Sequence, residues 1–240
     1  MKKHLPFLVL ICLLLAFTVN AQKAYVPDDN FEQALIDLGF DDVLDDSVLV
    51  NNIKNVSELN VSNKSINDLT GIKSFTNLMT LDCSRNNIKF LDVSNLASLR
   101  SLTCNANGMN KIKLDGLVAL NDLFCFGNNL KVLNLKDSRA IYRLFCQYNQ
   151  ITSLNLSNVN PAFVNCAYNN LTYLNLAIMS LSNTNVTSSG NPDLSCITVS
   201  NPALAWDANG WFSKAENASY SLNCPSAPET NITDANFEQV

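Results

Sequence analysis

Hydrophobic residues in the middle of this chain recur with a step of 21 positions. The step is marked by five cysteines: Cys83, Cys104, Cys125, Cys146 and Cys166, the last after a step of 20. A leucine or valine stands two positions before each cysteine, and an asparagine stands three positions after it. Two more apolar columns follow eight and ten positions after the cysteine. A self-similar period in the twenties predicts a solenoid.

Each copy of the pattern predicts a short strand followed by a turn. In Leu-x-Cys the two apolar residues alternate with a polar or aromatic one, so leucine and cysteine face one side of the strand. Stacked copies form a parallel sheet, and the later apolar columns pack against its inner side. The asparagine lies where the strand ends, and its amide can bond to the backbone of its own and neighbouring turns. Because no coil buries its apolar face alone, stability comes from the neighbouring coils.

These repeats resemble a known family. The stretch "LMTLDCSRNNIKFLDVSNLAS" resembles the leucine-rich repeat L-x-x-L-x-L-x-x-N-x-L, with cysteine at the third leucine. The preceding "VSELNVSNKSINDLTGIKSFTN" is one residue longer and resembles the internalin-like form. With the cap sequence "VPDDNFEQALIDLG", the chain is similar to secreted bacterial proteins of the Bacteroidetes type, which often end in a type IX sorting domain that is not visible here. The resemblance implies an α/β fold: a right-handed solenoid with parallel strands on the concave face, a mostly irregular or short 3-10 convex side, and an N-terminal helical cap.

The recurring cysteines have three interpretations. A buried free thiol is a small apolar group and fits the inward position. A zinc site needs ligands converging on one point, whereas a ladder places them along a line. Disulfides between adjacent coils fit poorly, because side chains that point in parallel do not reach the required torsion. We therefore expect buried free thiols and no metal.

The N-terminal segment "YVPDDNFEQALIDLGF" predicts a helix that covers the first coil. Asp28 or Asp29 can serve as the N-cap, and Asp29 with Glu32 fits a capping box. The predicted apolar face of this helix consists of Phe31, Leu35 and Leu38. The helix is predicted to end at Gly39. The acidic stretch "DDVLDDS" that follows is either a calcium loop or a solvated loop. The solvated loop is favoured, because the spacing of a calcium loop is absent.

The two ends of the chain carry features of an exported protein. "MKKHLPFLVLICLLLAFTVNAQ" predicts a secretory signal peptide, with an uncleaved anchor as the alternative. In an exported protein Cys196 and Cys224 are expected to pair and to staple a C-terminal cap. "ITDANFEQV" near the end repeats "VPDDNFEQA", so either the sequence is truncated or a tandem module follows. The predicted organisation is a signal peptide at 1–21, an N-terminal helical cap at 22–52, leucine-rich repeats at 53–195, a C-terminal cap at 196–224, and a linker with the start of a second cap-like module at 225–240.

Charge and composition narrow the classes of function. Loss of Lys2 and Lys3 with the leader changes the formal net charge from −5 to −7, and the single histidine, His4, leaves as well. An acidic surface without basic clusters argues against nucleic acid, and no membrane insertion is expected after signal cleavage. Without histidine, a Ser-His-Asp or Cys-His nucleophile is excluded, and no glycine-rich phosphate loop follows a strand. A glycosidase needs only two carboxylates, but candidates such as Asp82 and Asp122 lie two coils apart. We expect no enzyme, no catalytic residues and no cofactor.

What remains is a surface on the outer side of the predicted strands. Early coils contribute polar residues such as Thr80, whereas later coils contribute seven aromatics and an arginine. These predicted ligand-binding residues are Phe124, Phe126, Tyr142, Arg143, Phe145, Tyr148, Phe163 and Tyr168. Exposed together, the aromatics exceed the apolar patch usual for a monomer; alternatively, some pack against the C-terminal cap. The sequence thus predicts a secreted or cell-surface adhesion or recognition module for a protein or glycan, with a structural spacer that presents another domain as the alternative.

Overall fold

The structure, a computed structural model, describes residues 21–177, 184–202 and 212–225. The predicted signal peptide falls on residues outside this range apart from Ala21, and the repeated segment Ile232–Val240 lies wholly outside it. In the part of the chain that is described, no helix is both long and apolar enough to cross a membrane.

The N-terminal cap combines a small sheet with two helices. Strand β1 (Lys23–Tyr25) pairs antiparallel with β2 (Ser47–Leu49), and between them runs helix α1 (Asp29–Asp37). A short helix α2 (Val50–Ile53) follows β2 directly. The inner side of the cap is apolar, because Phe31 and other cap residues are fully buried in the same hydrophobic core as the first coils.

Helix α1 begins and ends for local reasons. The side chain of Asp28 accepts the backbone N–H of Phe31 at 2.9 Å, so Asp28 is the N-cap. At the other end Gly39 adopts a φ of +77°, which glycine reaches without the steric cost that a Cβ brings. The expected apolar face is correct for Phe31 and Leu35, but Leu38 is 46% exposed.

The predicted capping box of Asp29 and Glu32 is wrong. Glu32 is fully buried, and its carboxylate accepts three backbone N–H groups of the acidic loop at distances of 2.9–3.1 Å. The donors are Asp45, Asp46 and Ser47. Glu32 therefore fixes the loop onto the helix. Among the described residues, the acidic loop is not part of any group of three or more side chains that could hold a metal ion.

The repeats build one long parallel ladder, called here the concave ladder. Within the described residues it has eight strands, joined in register from each coil to the next. In chain order they are β3 (Glu58–Asn60), β4 (Thr80–Asp82), β6 (Ser101–Thr103), β8 (Asp122–Phe124), β9 (Arg143–Phe145), β11 (Phe163–Asn165), β13 (Asn185–Thr187) and β15 (Phe212–Ser213). The predicted parallel solenoid is confirmed, with neighbouring cysteines in neighbouring coils.

A second set of short parallel strands lies on another side of the coils. One sheet joins β5 (Phe90–Asp92) to β7 (Lys111–Lys113). The other contains β10 (Ser153–Asn155), β12 (Tyr173–Leu176), β14 (Cys196–Val199) and β16 (Ser219–Ser221). The remaining connections are turns, with one 3-10 helix at Ile72–Ser74 among the described residues.

The core fills the space between the two sets of strands. The leucine or valine before each ladder cysteine, the cysteine itself, and the two later apolar columns are all buried. The coils and the N-terminal cap thus share one continuous hydrophobic core. This is the nearest-neighbour packing that a repeat architecture requires.

The stretch predicted as a C-terminal cap continues the coils where it is described. Strands β14 and β16 extend the second set, and β15 extends the concave ladder, all in parallel. Cys196 and Cys224 form a disulfide, with their Cα atoms 5.7 Å apart.

Candidate functional site

The strands of the concave ladder determine which side chains face outward. From β3 to β13 each strand has three residues, and the middle one is buried while its neighbours are at least partly exposed. Alternation in an extended strand directs these neighbours away from the core. In the early coils they are polar or charged, whereas in β8, β9 and β11 they include three phenylalanines.

The eight residues predicted from the sequence lie together on this surface, called here the aromatic face. Four of them lie within the strands, namely Phe124, Arg143, Phe145 and Phe163, and the other four lie one to three residues from a strand end. Tyr142, Tyr148 and Tyr168 are 49%, 58% and 53% exposed, and the four phenylalanines are partly exposed.

The aromatic side chains form pairs between adjacent coils. The ring centroids of Phe124 and Phe145 are 5.3 Å apart with tilted planes, and those of Tyr142 and Phe163 are 5.6 Å apart in an edge-to-face arrangement. Tyr148 and Tyr168 stack in parallel at 4.7 Å. Contacts of this kind stabilise each pair by about 0.5–1.5 kcal/mol beyond area burial, so the rings hold one another in place.

Arg143 is held between an acid and an aromatic ring. Its Nε and Nη2 donate to the two carboxylate oxygens of Asp122 at 2.7 and 2.6 Å. Its guanidinium also lies 5.3 Å from the centroid of the Phe124 ring. The bidentate hydrogen bonds to Asp122 raise the pKa of Arg143. The ion pair with Asp122 neutralises the charge of Arg143 and fixes the direction of its guanidinium, because the planar group binds a carboxylate through two parallel hydrogen bonds.

Two residues of this surface are absent from the predicted binding set. Asp122 lies one repeat before Arg143, a spacing that could have revealed the ion pair. Gln147 lies between Cys146 and Tyr148, and its Oε1 is buried without a hydrogen-bond partner. No sequence signal distinguishes Gln147 from an ordinary surface glutamine.

The candidate carboxylates of the sequence are occupied by other contacts. Asp82 accepts the backbone N–H and the hydroxyl of Ser84, at 2.9 and 2.7 Å. Asp122 is engaged by Arg143. Each carboxylate therefore has its own local partner, Asp82 within its own coil and Asp122 in the next one.

The cysteines and asparagines beneath this surface make it rigid. All five ladder cysteines are free and buried. Burial raises the pKa of Cys125 and Cys166 to about 12, so these thiols stay protonated. The asparagine column binds the turns together: the Asn128 amide group donates to the carbonyls of Cys104 and Cys125, and its oxygen accepts two backbone N–H groups.

Comparison with known proteins identifies solved structures with a similar fold. No family model matches the chain, and no curated protein matches it. Among solved structures, the chain is similar to the functional domain of InlJ from Listeria monocytogenes, a domain that includes a cysteine ladder. The identity is 21% over 82% of this chain, with a TM-score of 0.38, and the chain spans 62% of the length of that domain.

A second similar structure is an internalin, InlF, from Listeria monocytogenes strain 4b F2365. It is 18% identical over 85% of this chain and 74% of that chain, with a TM-score of 0.58. Together with the ladder, the buried columns and the helical cap described above, this similarity shows the architecture: the chain has an internalin-like leucine-rich-repeat fold.

Proposed function

We propose that this chain is a secreted or cell-surface binding module that recognises a protein or a glycan through the aromatic face. The observation that carries the proposal is the concentration of seven partly exposed aromatic side chains, three of them about half exposed, on adjacent coils of one ladder. The leader-like N-terminus and the disulfide of Cys196 and Cys224 support export, because disulfides persist in oxidising compartments.

The energetics of an exposed aromatic surface favour a ligand. Each aromatic side chain can remove about 150–250 Å² from water when it is covered. A contiguous apolar patch beyond a few hundred Å² on a soluble protein usually marks an interaction site. Tyrosine and arginine are also the residues that most often dominate binding energy at interfaces.

The order within the aromatic face adds to this argument. Phe124 contacts both Phe145 and Arg143, and Arg143 is fixed by Asp122. Side chains that are already held in place lose less conformational entropy when a ligand arrives, so more of the contact energy appears as affinity. A spacer would need none of this ordering.

The test is a binding screen with matched variants. The protein is applied to one array of extracellular-protein ectodomains and one array of immobilised glycans, and each hit is titrated in solution. Phe124→Ala and Phe145→Ala are expected to weaken binding about 30-fold, the equivalent of about 2 kcal/mol at a hot spot. Thr80→Ala, an exposed change on β4, is the control and should bind unchanged.

The melting temperature of each variant separates binding from packing. We expect the two phenylalanine variants to melt close to the wild type, because their side chains face away from the core. If they unfold, while refolded material binds its partner unchanged, then the aromatics are packing residues. The spacer that presents another domain would then be the better account of the chain.

A further inference from the structure

One turn position has the same left-handed backbone conformation in successive coils. It lies two residues after each ladder cysteine, or after the residue that replaces the cysteine. Its occupants all have a positive φ between 53° and 70°: Asn63, Arg85, Ala106, Gly127, Tyr148, Tyr168 and Gly190. A Cβ is unfavourable in this region, and glycine adopts it most readily. The needs of the turn therefore do not explain why two successive coils have tyrosine at this position.

These two tyrosines form a stacked pair on the surface of the protein. Their ring planes differ by 4°, and the ring centroids are 4.7 Å apart. That distance is about one strand spacing, and it lies at the short end of the range for aromatic pairs. Tyr148 is 58% exposed and Tyr168 is 53% exposed. The two phenol rings are thus in contact with each other and accessible to reagents in solution.

The backbone around the pair keeps the two rings in this arrangement. The N–H of Tyr148 donates to the carbonyl of Ala167 at 3.1 Å, which joins the two turns directly. A Cβ at Gly190 would lie 2.6 Å from Cδ1 and 3.0 Å from Cε1 of Tyr168, so the Gly190 backbone approaches that ring closely. Any larger residue at position 190 would push the Tyr168 ring out of its place. The pair is therefore assembled before any reagent arrives.

Two phenol rings in contact are the substrate of a known oxidation. A one-electron oxidant removes one electron and one proton from each hydroxyl group, which leaves two phenoxyl radicals. The radicals combine through the ring carbons next to the C–O bonds and form one C–C bond. The hydrogen on each of these carbons then moves to the phenol oxygen, which restores both aromatic rings. With hydrogen peroxide as the oxidant, two tyrosines and one peroxide give one dityrosine and two water molecules.

The neighbouring side chains do not offer the same reaction. Tyr142 contacts the ring of Phe163, and phenylalanine has no hydroxyl group to oxidise. The thiols of the five ladder cysteines would compete for an oxidant, but all five are buried. On the aromatic face the coupling of two phenols is therefore directed to Tyr148 and Tyr168.

We propose that Tyr148 and Tyr168 are a site of oxidative cross-linking, where hydrogen peroxide and a haem peroxidase join them as an intramolecular dityrosine. The new C–C bond links two adjacent coils covalently at their surface, above the asparagine column that links them inside. Because the stack already holds the two rings together, coupling within one molecule is faster than coupling between molecules. The cross-link is independent of the proposed binding function and forms without a ligand.

Treatment of the dilute full chain with a haem peroxidase and limiting hydrogen peroxide tests the site. The wild type should gain dityrosine fluorescence, lose the mass of two hydrogen atoms and remain a monomer on a denaturing gel. Peptide mapping should find the bond between Tyr148 and Tyr168. Tyr148→Phe and Tyr168→Phe keep the rings and should each lower the yield about tenfold or more, because coupling then needs a second molecule. Tyr25→Phe, which changes a tyrosine that is 62% exposed in the N-terminal cap, is the matched control and should leave the yield unchanged.

A relocated pair separates the proximity of the rings from a structural role of Tyr168. Gly127→Tyr combined with Tyr168→Phe places the second tyrosine one coil before Tyr148. A Cβ at Gly127 has ordinary contacts of 3.8 and 4.0 Å, and its φ of 64° is close to that of the two tyrosines. This double variant should regain the monomeric cross-linked product, while circular dichroism reports an intact fold.

The melting temperature measures what the bond does for the protein. The cross-linked wild type should melt at a higher temperature than the untreated protein, because the bond closes a loop of the unfolded chain. An unchanged melting temperature would overturn the role of the bond as a link between coils. The site itself is overturned if the wild type yields no monomeric dityrosine, if Tyr148→Phe reacts like the wild type, or if the folded double variant stays unreactive.

Discussion

The buried asparagine column offers the sharpest test of how the coils are held together. Asn128 is almost fully buried and makes four hydrogen bonds of 3.2 Å or less with the backbone. Its amide group donates to the carbonyls of Cys104 and Cys125, and its oxygen accepts from the N–H groups of Asn107 and Met109. Asn128→Ala removes the acceptor of the Asn107 and Met109 N–H groups and one donor from each carbonyl, while the Cys104 carbonyl still accepts from Asn107 and the Cys125 carbonyl from Asn149. At a net value near 1 kcal/mol for each hydrogen bond, the free energy of unfolding should fall by about 3–4 kcal/mol.

The next residue is a built-in control for this change. Asn129 is exposed, and its amide group donates to the carbonyl of Gly108 at 3.2 Å. Asn129→Ala removes the same side chain from a solvated site, so it should cost about 0.5 kcal/mol or less. Both variants keep the chain length and the net charge, which leaves burial of the amide as the difference between them.

Urea-induced unfolding followed by far-UV circular dichroism gives the two free energies. Repeat arrays can lose two-state behaviour, so the slope of each transition must match that of the wild type. Amide hydrogen exchange provides the local measurement, and the N–H groups of Asn107 and Met109 should exchange faster in Asn128→Ala. A difference below about 0.5 kcal/mol between the two variants would refute the role of the amide ladder in stability.

Three further changes test the remaining parts of the structure. Cys125→Leu should overpack the core and lower the free energy of unfolding, measured by urea titration, by about 1–3 kcal/mol. In the wild type, the buried Cys125 thiol should resist iodoacetamide until the protein is denatured. Glu32→Gln should destabilise the N-terminal cap by about 1.5–3 kcal/mol, because charge-assisted hydrogen bonds to the loop are lost. The control, Glu58→Gln, changes an exposed residue and should be near neutral. Equal effects of the two variants in thermal melts would contradict this role of Glu32. Reduction of the disulfide between Cys196 and Cys224, 28 residues apart, should lower stability by about 3–4 kcal/mol if loop entropy dominates, and an unchanged melting temperature under dithiothreitol would argue that the link adds little.

The periodic part of the fold could be predicted because its causes are local and repeated. A step of 21 residues fixes which side chains share a column, and the alternation in Leu-x-Cys fixes which of them face the core. The hydrogen bonds of Asn128 and its equivalents could be predicted for the same reason, because a side chain at a fixed place in the repeat always meets the same backbone groups. The outward direction of Phe124 and Phe145 follows from the same alternation.

The contacts between unlike segments were decided only by the tertiary structure. The spacing of Asp29 and Glu32 fits a capping box, yet the folded cap brings a loop from residues 45–47 to the Glu32 carboxylate. Three backbone N–H groups in a buried site satisfy that charge better than one N-terminal N–H would. A sequence pattern records neighbours along the chain, and this loop is a neighbour only after folding.

The aromatic face shows the same division. Columns from the sequence place Tyr148 and Tyr168 in adjacent coils, but their 4° stack and the close approach of the Gly190 backbone to the Tyr168 ring depend on ring orientation. Ring orientation is set by the left-handed turn and by the atoms packed on either side, which a column of letters does not contain. The sequence determined which residues share a surface, and the tertiary structure decided which of its faces are covered, because coverage depends on distances between coils.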